Sequence, residues 1–450
     1  MQFEQALSYL LSLGHETLTI KLGLKNTETL LAALGNPHTR FPAVQIAGTN
    51  GKGSTAVMLD SICRQAGIRT GLFTSPHLIS ITERIRIDGR EISENEFSRL
   101  TSRVKQAAQV LVERGDLPTA PTFFEHLTAI ALLAFKEAKV DLAILETGLG
   151  GRLDSTTAAA AETVAITPVA LDHEEYLGVT IAEIAAEKAA IIRTGATVVI
   201  APQLPEAHQV IMRQCDEAGV RPIILNGSQT GSHRAHLSEV NDGRCRVTFE
   251  TPNRRYENVR LGLRGRHQID NAMVAIALAE AIDARGFRIS SRSIVVGLEE
   301  ASHAGRLELW RGQPAILFDG AHNPAAARVL RDYLDEFVHA PITLLFGAMK
   351  DKGLCEMAAA LVSTADFLVL AQLDNPRAAS VERLAQSVPN GYAKAKIRQA
   401  ANVSDALRIA RELTPSHGVI CVTGSLYLIG VTQQILQESS AGVAHQLRGH

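Results

Sequence analysis

Short β-branched runs alternate along this chain with longer Ala- and Leu-rich stretches whose apolar positions recur every three or four residues. The first pattern is that of strands buried on both faces; the second is that of helices packed by one side. Strands are predicted at residues 43–47, 142–146, 163–167, 197–201, 315–319, 342–346, 367–370 and 418–423. Helices lie between many of them, among others at 54–66, 124–139, 181–192 and 323–337. Such alternation builds parallel sheets with helices on their faces, and these sheets bind ligands at the carboxyl ends of their strands. Residues 226–263 break the pattern: they are rich in Gly, Ser, Arg and Thr, with short alternating strands at 245–250 and 256–261. They predict an antiparallel insert at the edge of the first domain. The stretch 297–305 has little periodicity and is the expected interdomain linker.

Composition narrows the class. At 46% hydrophobic and 20% charged residues, the chain holds enough apolar material for sizeable cores. A formal net charge of -2 gives no global attraction to nucleic acid or to an anionic membrane. Cys63, Cys215, Cys245, Cys355 and Cys421 are odd in number, scattered and without a CxxC pair, which argues against a disulfide framework or structural zinc and for a reducing compartment. The first residues carry acids and read as an amphipathic helix, not a signal peptide. Apolar runs such as 127–135 are too short to span a bilayer. A cytoplasmic monomer with no nucleic-acid or membrane partner is expected.

The strongest chemical signal is Val44-Gln-Ile-Ala-Gly-Thr-Asn-Gly-Lys-Gly-Ser-Thr55. A buried strand enters a Gly-rich turn and a helix follows. Gly48, Gly51 and Gly53 let backbone N–H groups face an anion, and the helix N-terminus adds partial positive charge. Lys52 supplies a full charge for the β and γ phosphates, and Ser54 a hydroxyl for Mg²⁺. Only two residues separate Gly48 from Gly51, and Gly53 stands between Lys52 and Ser54, so this is a variant of the usual phosphate loop. The expected architecture is α/β. A P-loop-type, mostly parallel sheet domain with a small antiparallel insert covers 1–298, and a smaller Rossmann-like α/β domain covers 299–450.

Further candidates stand at strand ends. Glu146 precedes Gly-Leu-Gly-Gly, Asp172 and His173 follow the 163–167 run, and Ser75 and His77 follow the run 70–73. Alone, His173 reads as a loop histidine and Glu146 as a solvated strand end. Together, several oxygens and one imidazole suit Mg²⁺ bridging phosphates. Lys188 on its own reads as a solvated or salt-bridged helix lysine.

The GTNGKGS loop resembles the nucleotide loop of the Mur-ligase superfamily. Thr74-Ser-Pro-His-Leu78, Thr122-Phe-Phe-Glu125, Glu146-Thr-Gly-Leu-Gly-Gly-Arg-Leu-Asp154, Leu171-Asp-His173, Glu187-Lys-Ala189, Gly305-Arg-Leu-Glu308, Asp319-Gly-Ala-His-Asn-Pro324 and Thr423-Gly-Ser-Leu-Tyr427 extend the likeness. In this order they resemble the folylpolyglutamate synthase/dihydrofolate synthase family, over roughly residues 17–430. The resemblance implies a ligase that adds L-glutamate to a folate, and to dihydropteroate in the bifunctional case, through an acyl phosphate made with ATP. A monofunctional dihydrofolate synthase is the alternative within the family.

The resemblance also implies site residues. Asn50, Gly51, Lys52, Gly53, Ser54, Asn271, Arg306 and Asp319 would serve ATP, with His322 near the phosphates. Two Mg²⁺ ions are implied: Ser54, Ser75 and Glu146 would hold the first and His173 the second, which a carbamylated Lys188 would also ligate. Lys52, Lys188, His173 and His322 form the implied catalytic set. The pterin-bearing substrate would lie against Ile20, Lys21, Leu22, Thr122, Phe123, Phe124, Glu125, Leu153, Asp154 and Ser155. Read from the residues alone, Phe123 and Phe124 are as compatible with core packing as with stacking on a flat ring. Lys350, Lys352 and Arg377 match family elements and receive no role. The chain departs from the family pattern at Ala190, usually Gly, and at Asp154-Ser-Thr-Thr157, usually Asp-Ala-Thr-Asn. Cell-wall Mur ligases carry a further domain ahead of the loop, for which this sequence leaves no room. An ATP-switched binding protein is the competitor from another class, and would hydrolyse ATP without either substrate.

Overall fold

A computed structural model describes residues 1–14, 23–225 and 232–447. Its first sheet has eight strands: β1 (Ala43–Ala47), β2 (Thr70–Phe73), β3 (Ile85–Ile87), β4 (Arg90–Glu91), β5 (Leu142–Glu146), β6 (Thr163–Ile166), β7 (Thr197–Ile200) and β8 (Ile223–Ile224). Their order is β4-β3-β2-β5-β1-β6-β7-β8, parallel from β2 to β8, with β3 and β4 added antiparallel at one edge. The strands are continuous apolar runs because both faces are covered. Phe73, Ala143, Leu145, Val164, Ile166, Val198 and Ile200 enter the core on one face. Leu72, Leu142, Ile144, Ala165 and Val199 enter the core on the other.

The residues 226–263 region does yield antiparallel strands: β9 (Arg234–Asn241), β10 (Arg244–Glu250) and β11 (Arg255–Arg264). They form a three-stranded sheet of their own. The reason lies in their alternation. Cys245, Val247 and Phe249 share one face with Tyr256, Val259 and Leu261, and that face closes the second core over the helices Gln268–Ala284 and Ser291–Glu300.

A third sheet contains β12 (Glu308–Trp310), β13 (Ala315–Asp319), β14 (Ile342–Phe346), β15 (Phe367–Ala371), β16 (Ile397–Ala400) and β17 (Val419–Thr423), in the order β12-β13-β17-β14-β15-β16. It is parallel except for β12. The α/β reading of a large, mostly parallel sheet followed by a second sheet is therefore correct. Among the described residues, no helix is long and apolar enough to cross a membrane.

Two expectations change. The helix expected to run to 192 ends at Ala189, because Ile191 and Ile192 are buried after the chain has turned. The expected linker loses its first four residues to the Ser291–Glu300 helix. Gly297 sits inside that helix because the backbone of the Lys52–Gln65 helix crosses it there. A Cβ on Gly297 would stand 2.4 Å from the Ile62 Cα. Gly297→Ala is therefore expected to cost about 1–3 kcal/mol through overpacking, despite alanine's better helix propensity. Urea denaturation of the pair checks this; an equal or raised midpoint contradicts the close crossing.

Candidate active site

The carboxyl ends of β1, β5 and β6 open onto a cleft of about 1380 Å³, whose opposite wall follows β13, β14 and β17 of the third sheet. The loop after β1 lies at its floor. Thr49 and Asn50 donate their N–H groups to the Pro168 carbonyl, and the Lys52–Gln65 helix starts immediately, two residues before the predicted position. Gly51 takes a φ of 91°, and a Cβ there would stand 2.4 Å from Asn271 Oδ1. The loop can therefore be built only with glycine at 51, and Asn271 is brought directly onto it. Asn271 lies inside the first turn of the Gln268–Ala284 helix and donates to Gln268 Oε1 at 2.9 Å. The Lys52 ammonium donates to the Gly48 and Thr49 carbonyls at 3.0 and 3.1 Å. Burial lowers its pKa, against the pull of Glu146 and Asp172.

Glu146 ends β5 and accepts the Ser75 N–H at 3.0 Å. The Gly148–Gly151 turn beyond it packs on the last turn of the helix carrying Lys188. Arg152 N–H donates to the Glu187 carbonyl at 2.9 Å, and a Cβ on Gly151 would stand 3.0 Å from the Lys188 carbonyl oxygen. Lys188 is only 5% exposed. It is no solvated helix lysine. Burial, together with the nearby Lys52 charge, pulls its ammonium down to about 7 although Asp172, Asp154 and Glu187 oppose this. His173 has a left-handed φ of 52° at the start of the short Glu174–Leu177 helix. Burial brings its imidazole down to about 3 against the attraction of Asp172, with Lys352, His322 and Lys188 adding to the fall, so it is neutral at physiological pH.

Asp172 joins the two walls. It is buried and receives Lys352 Nζ at 2.5 Å and Asn323 Nδ2 at 3.2 Å, with His322 Nε2 standing 3.5 Å away, all from the third-sheet side. Asn323 also donates to Asn50 Oδ1 at 3.0 Å. Burial alone would raise the Asp172 pKa, but His322, His173 and Lys352 hold it far below the ordinary carboxylate range. Asp319 ends β13 and accepts the N–H groups of Leu307 and Ala321 at 3.0 Å each, fixing the segment that carries Arg306. Arg306 Nη1 donates to the Gly320 carbonyl at 3.2 Å. His322 Nδ1 lies 2.8 Å from the same carbonyl, which only accepts, so Nδ1 carries a proton.

Of the residues expected at the substrate, Thr122, Phe124, Glu125, Leu153, Asp154 and Ser155 line the cleft. Phe123 does not. It is buried in the core, with the Arg84 guanidinium 5.6 Å from its ring centre. The first turn of the helix directs one aromatic inward and the next, Phe124, over Gly148. Asp154 accepts from Leu149 N–H at 2.9 Å and Thr156 N–H at 3.0 Å, so its carboxylate organises its own loop. Glu125 and Thr122 cap the Phe123–Ala138 helix reciprocally. Ile20, Lys21 and Leu22 lie outside the described residues.

Sequence reasoning gave no role to Lys352, Asn323, Gln268 or His303. Lys352 and Asn323 meet Asp172 as above. Gln268 Nε2 and His303 Nδ1 each lie 3.4 Å from Ser54 Oγ. For Lys352 and Asn323 a signal existed, since both follow strand ends of the third sheet. For His303 there was none. Asp172→Ala leaves Lys352 buried without its carboxylate, a change of about 3–5 kcal/mol against the joined walls. Faster proteolysis between 301 and 307 is expected, and an unchanged cleavage rate contradicts the clasp.

The Mur ligase middle-domain profile matches residues 46–279, and the Mur ligase glutamate-ligase-domain profile matches 305–426. The dihydrofolate synthase/folylpolyglutamate synthase of Bacillus subtilis is 35% identical over 91% of this chain and 94% of its own. A probable bifunctional folylpolyglutamate synthase/dihydropteroate synthase of Haloferax volcanii is 36% identical over 95% of this chain, but this chain spans only 50% of that protein. A bifunctional folylpolyglutamate synthase/dihydrofolate synthase solved with Mn, AMPPNP and L-glutamate bound superposes with a TM-score of 0.83 at 31% identity, over 97% of this chain and 98% of that one.

Proposed function

The chain belongs to the folylpolyglutamate synthase/dihydrofolate synthase family of Mur-type ligases, and on that premise we propose that its cleft joins L-glutamate both to a folate and to dihydropteroate. It is an ATP-dependent ligase. The observation that carries the proposal is the meeting, in one cleft, of the Lys52 loop, the strand-end carboxylate Glu146 and the buried Lys188. A switch that only hydrolyses ATP has no need for the cleft to extend past the phosphate loop to Phe124, Leu153 and Ser155.

The donor set fits a hard divalent cation. Ser54 and Glu146 offer a hydroxyl and a carboxylate beside the helix N-terminus, and among the described residues no three His, Cys, Asp or Glu side chains form a closed cage. Mg²⁺ characteristically takes one or two carboxylates, substrate phosphates and water. In the proposal Ser54, Ser75 and Glu146 would hold a first ion, and His173 with a carbamylated Lys188 a second. Cations held there would supply charge neutralisation for the phosphates and the transferring phosphoryl group. Carbamylation suits Lys188 on electrostatic grounds. Burial and the nearby Lys52 charge bring its ammonium down to about 7, so far more of its amine is neutral and able to attack CO₂ than for a free lysine. The product is an anion facing Lys52, replacing a buried repulsion by an attraction.

The folate or pteroate carboxylate attacks the γ-phosphorus, the bond to ADP breaks, and an acyl phosphate forms. The glutamate amine then adds to the carbonyl, and phosphate leaves as the amide forms. Lys52 and Arg306 stabilise negative charge on the transferring group, and Asn271 holds the loop that orients it. His322, hydrogen-bonded to the Gly320 carbonyl and facing Asp172, stands at the phosphate end of the second wall.

Mass analysis of products from ATP and glutamate with either dihydropteroate or tetrahydrofolate tests the proposal. Amide products from both acceptors, lowered at least about 100-fold in Lys52→Ala, are expected. Product from one acceptor alone shows a monofunctional enzyme, and ATP hydrolysis without acceptor refutes the ligase reading. Intact mass in bicarbonate should show a gain of one CO₂, absent in Lys188→Ala. Its extent should fall as pH drops below about 7, where the amine becomes charged. An unmodified wild-type mass across that range removes the carbamate.

A further inference from the structure

We propose that His303 supplies an imidazole nitrogen to the divalent cation at the phosphate loop, making that site a mixed nitrogen–oxygen one. The inference rests on the reading above that a cation is held between Ser54 and Glu146. His303 stands in the segment between the Ser291–Glu300 helix and β12. That segment returns the chain from the first body to the third sheet and lays the ring over the start of the Lys52–Gln65 helix. Its Nδ1 is 3.4 Å from Ser54 Oγ. Adjacent ligands of an octahedral ion with bonds of about 2.1 Å lie roughly 3 Å apart, so the two atoms are spaced nearly as neighbours on one ion.

A second observation places the ring beside the other expected ligand. The point where a Cβ of Gly53 would stand is 2.7 Å from His303 Cε1 and 3.3 Å from both His303 Nε2 and Glu146 Oε2. The imidazole and the carboxylate thus flank the same glycine, and any side chain at 53 would fill the space between them. His303 differs in place from His173, which stands beyond β6 next to Asp172 and Lys188. A neutral nitrogen donor leaves the charge of the site unchanged. It biases the site toward Mn²⁺ or Co²⁺, which accept imidazole more readily than Mg²⁺ does.

The test is pulsed electron paramagnetic resonance of the full chain with a non-hydrolysable ATP analogue and one Mn²⁺ per molecule. Imidazole-nitrogen modulation of the Mn²⁺ signal is expected, shifted in frequency when the protein carries ¹⁵N-histidine. The modulation should vanish in His303→Asn and persist in His173→Asn. Mn²⁺ affinity relative to Mg²⁺ should fall at least about tenfold in His303→Asn. The labelled wild type decides the matter even if a variant fails to fold. Bound Mn²⁺ without nitrogen modulation, or modulation lost only in His173→Asn, overturns the assignment and leaves His303 as a hydrogen-bond partner of Ser54. No Mn²⁺ binding at all, or binding untouched by Glu146→Ala, overturns the loop cation and this inference with it.

Discussion

The site exists only because the carboxyl ends of two parallel sheets are held face to face, and one buried carboxylate fixes how they meet beside the phosphate loop. Asp172 leaves the β6 end of the first sheet and meets Lys352, Asn323 and His322 from the third. Lys352 and Asp172 are each about 7% exposed, so neither charge keeps its hydration. A buried pair of this kind adds little net stability compared with apolar packing, but either partner alone is costly. Its effect is therefore on geometry. The second wall must stand where Lys352 reaches Asp172, and this sets Asn323 on Asn50 and His322 toward the phosphate loop. Phosphoryl transfer depends on such positioning more than on covalent help from the protein.

The electrostatics follow from the same crowding. Lys52 and Lys188 are close enough that each charge disfavours the other, and both are taken out of water. Glu146, Asp154 and Asp172 oppose this. A triphosphate with its cations, and a carbamate on Lys188, complete the balance in the proposed cycle. A cleft that holds two lysines close together and out of water binds an anionic substrate partly by relieving the repulsion between them.

Much of the fold was legible in the sequence. β1, β5, β13 and β14 form where their apolar runs predicted, because strands covered on both faces leave an unbroken signature. The 181–192 helix was read too long because Ile191 and Ile192 keep the apolar period while packing beyond a turn. The phosphate loop was legible because strand, glycines, lysine and helix are contiguous. What was not legible depends on meetings across sequence. Phe123 and Phe124 are identical neighbours, and only the phase of their helix decides which one faces the cleft. Asp154 lines the cleft as expected, and its oxygens also hold Leu149 and Thr156, a contact within the loop that composition does not reveal. Lys352 reaches Asp172 across 180 positions and His303 reaches Ser54 across 249, so even where a strand end marked the residue, no local pattern named its partner.

The central claim is that this clasped cleft hands the γ-phosphoryl group of ATP to an organic carboxylate before the amide forms. Turnover with acceptor carrying ¹⁸O in the reacting carboxylate, followed by ³¹P NMR of the released phosphate, tests it directly. One ¹⁸O per phosphate, matched to each amide made, is the predicted result. Phosphate free of ¹⁸O, with amide still produced, would contradict it.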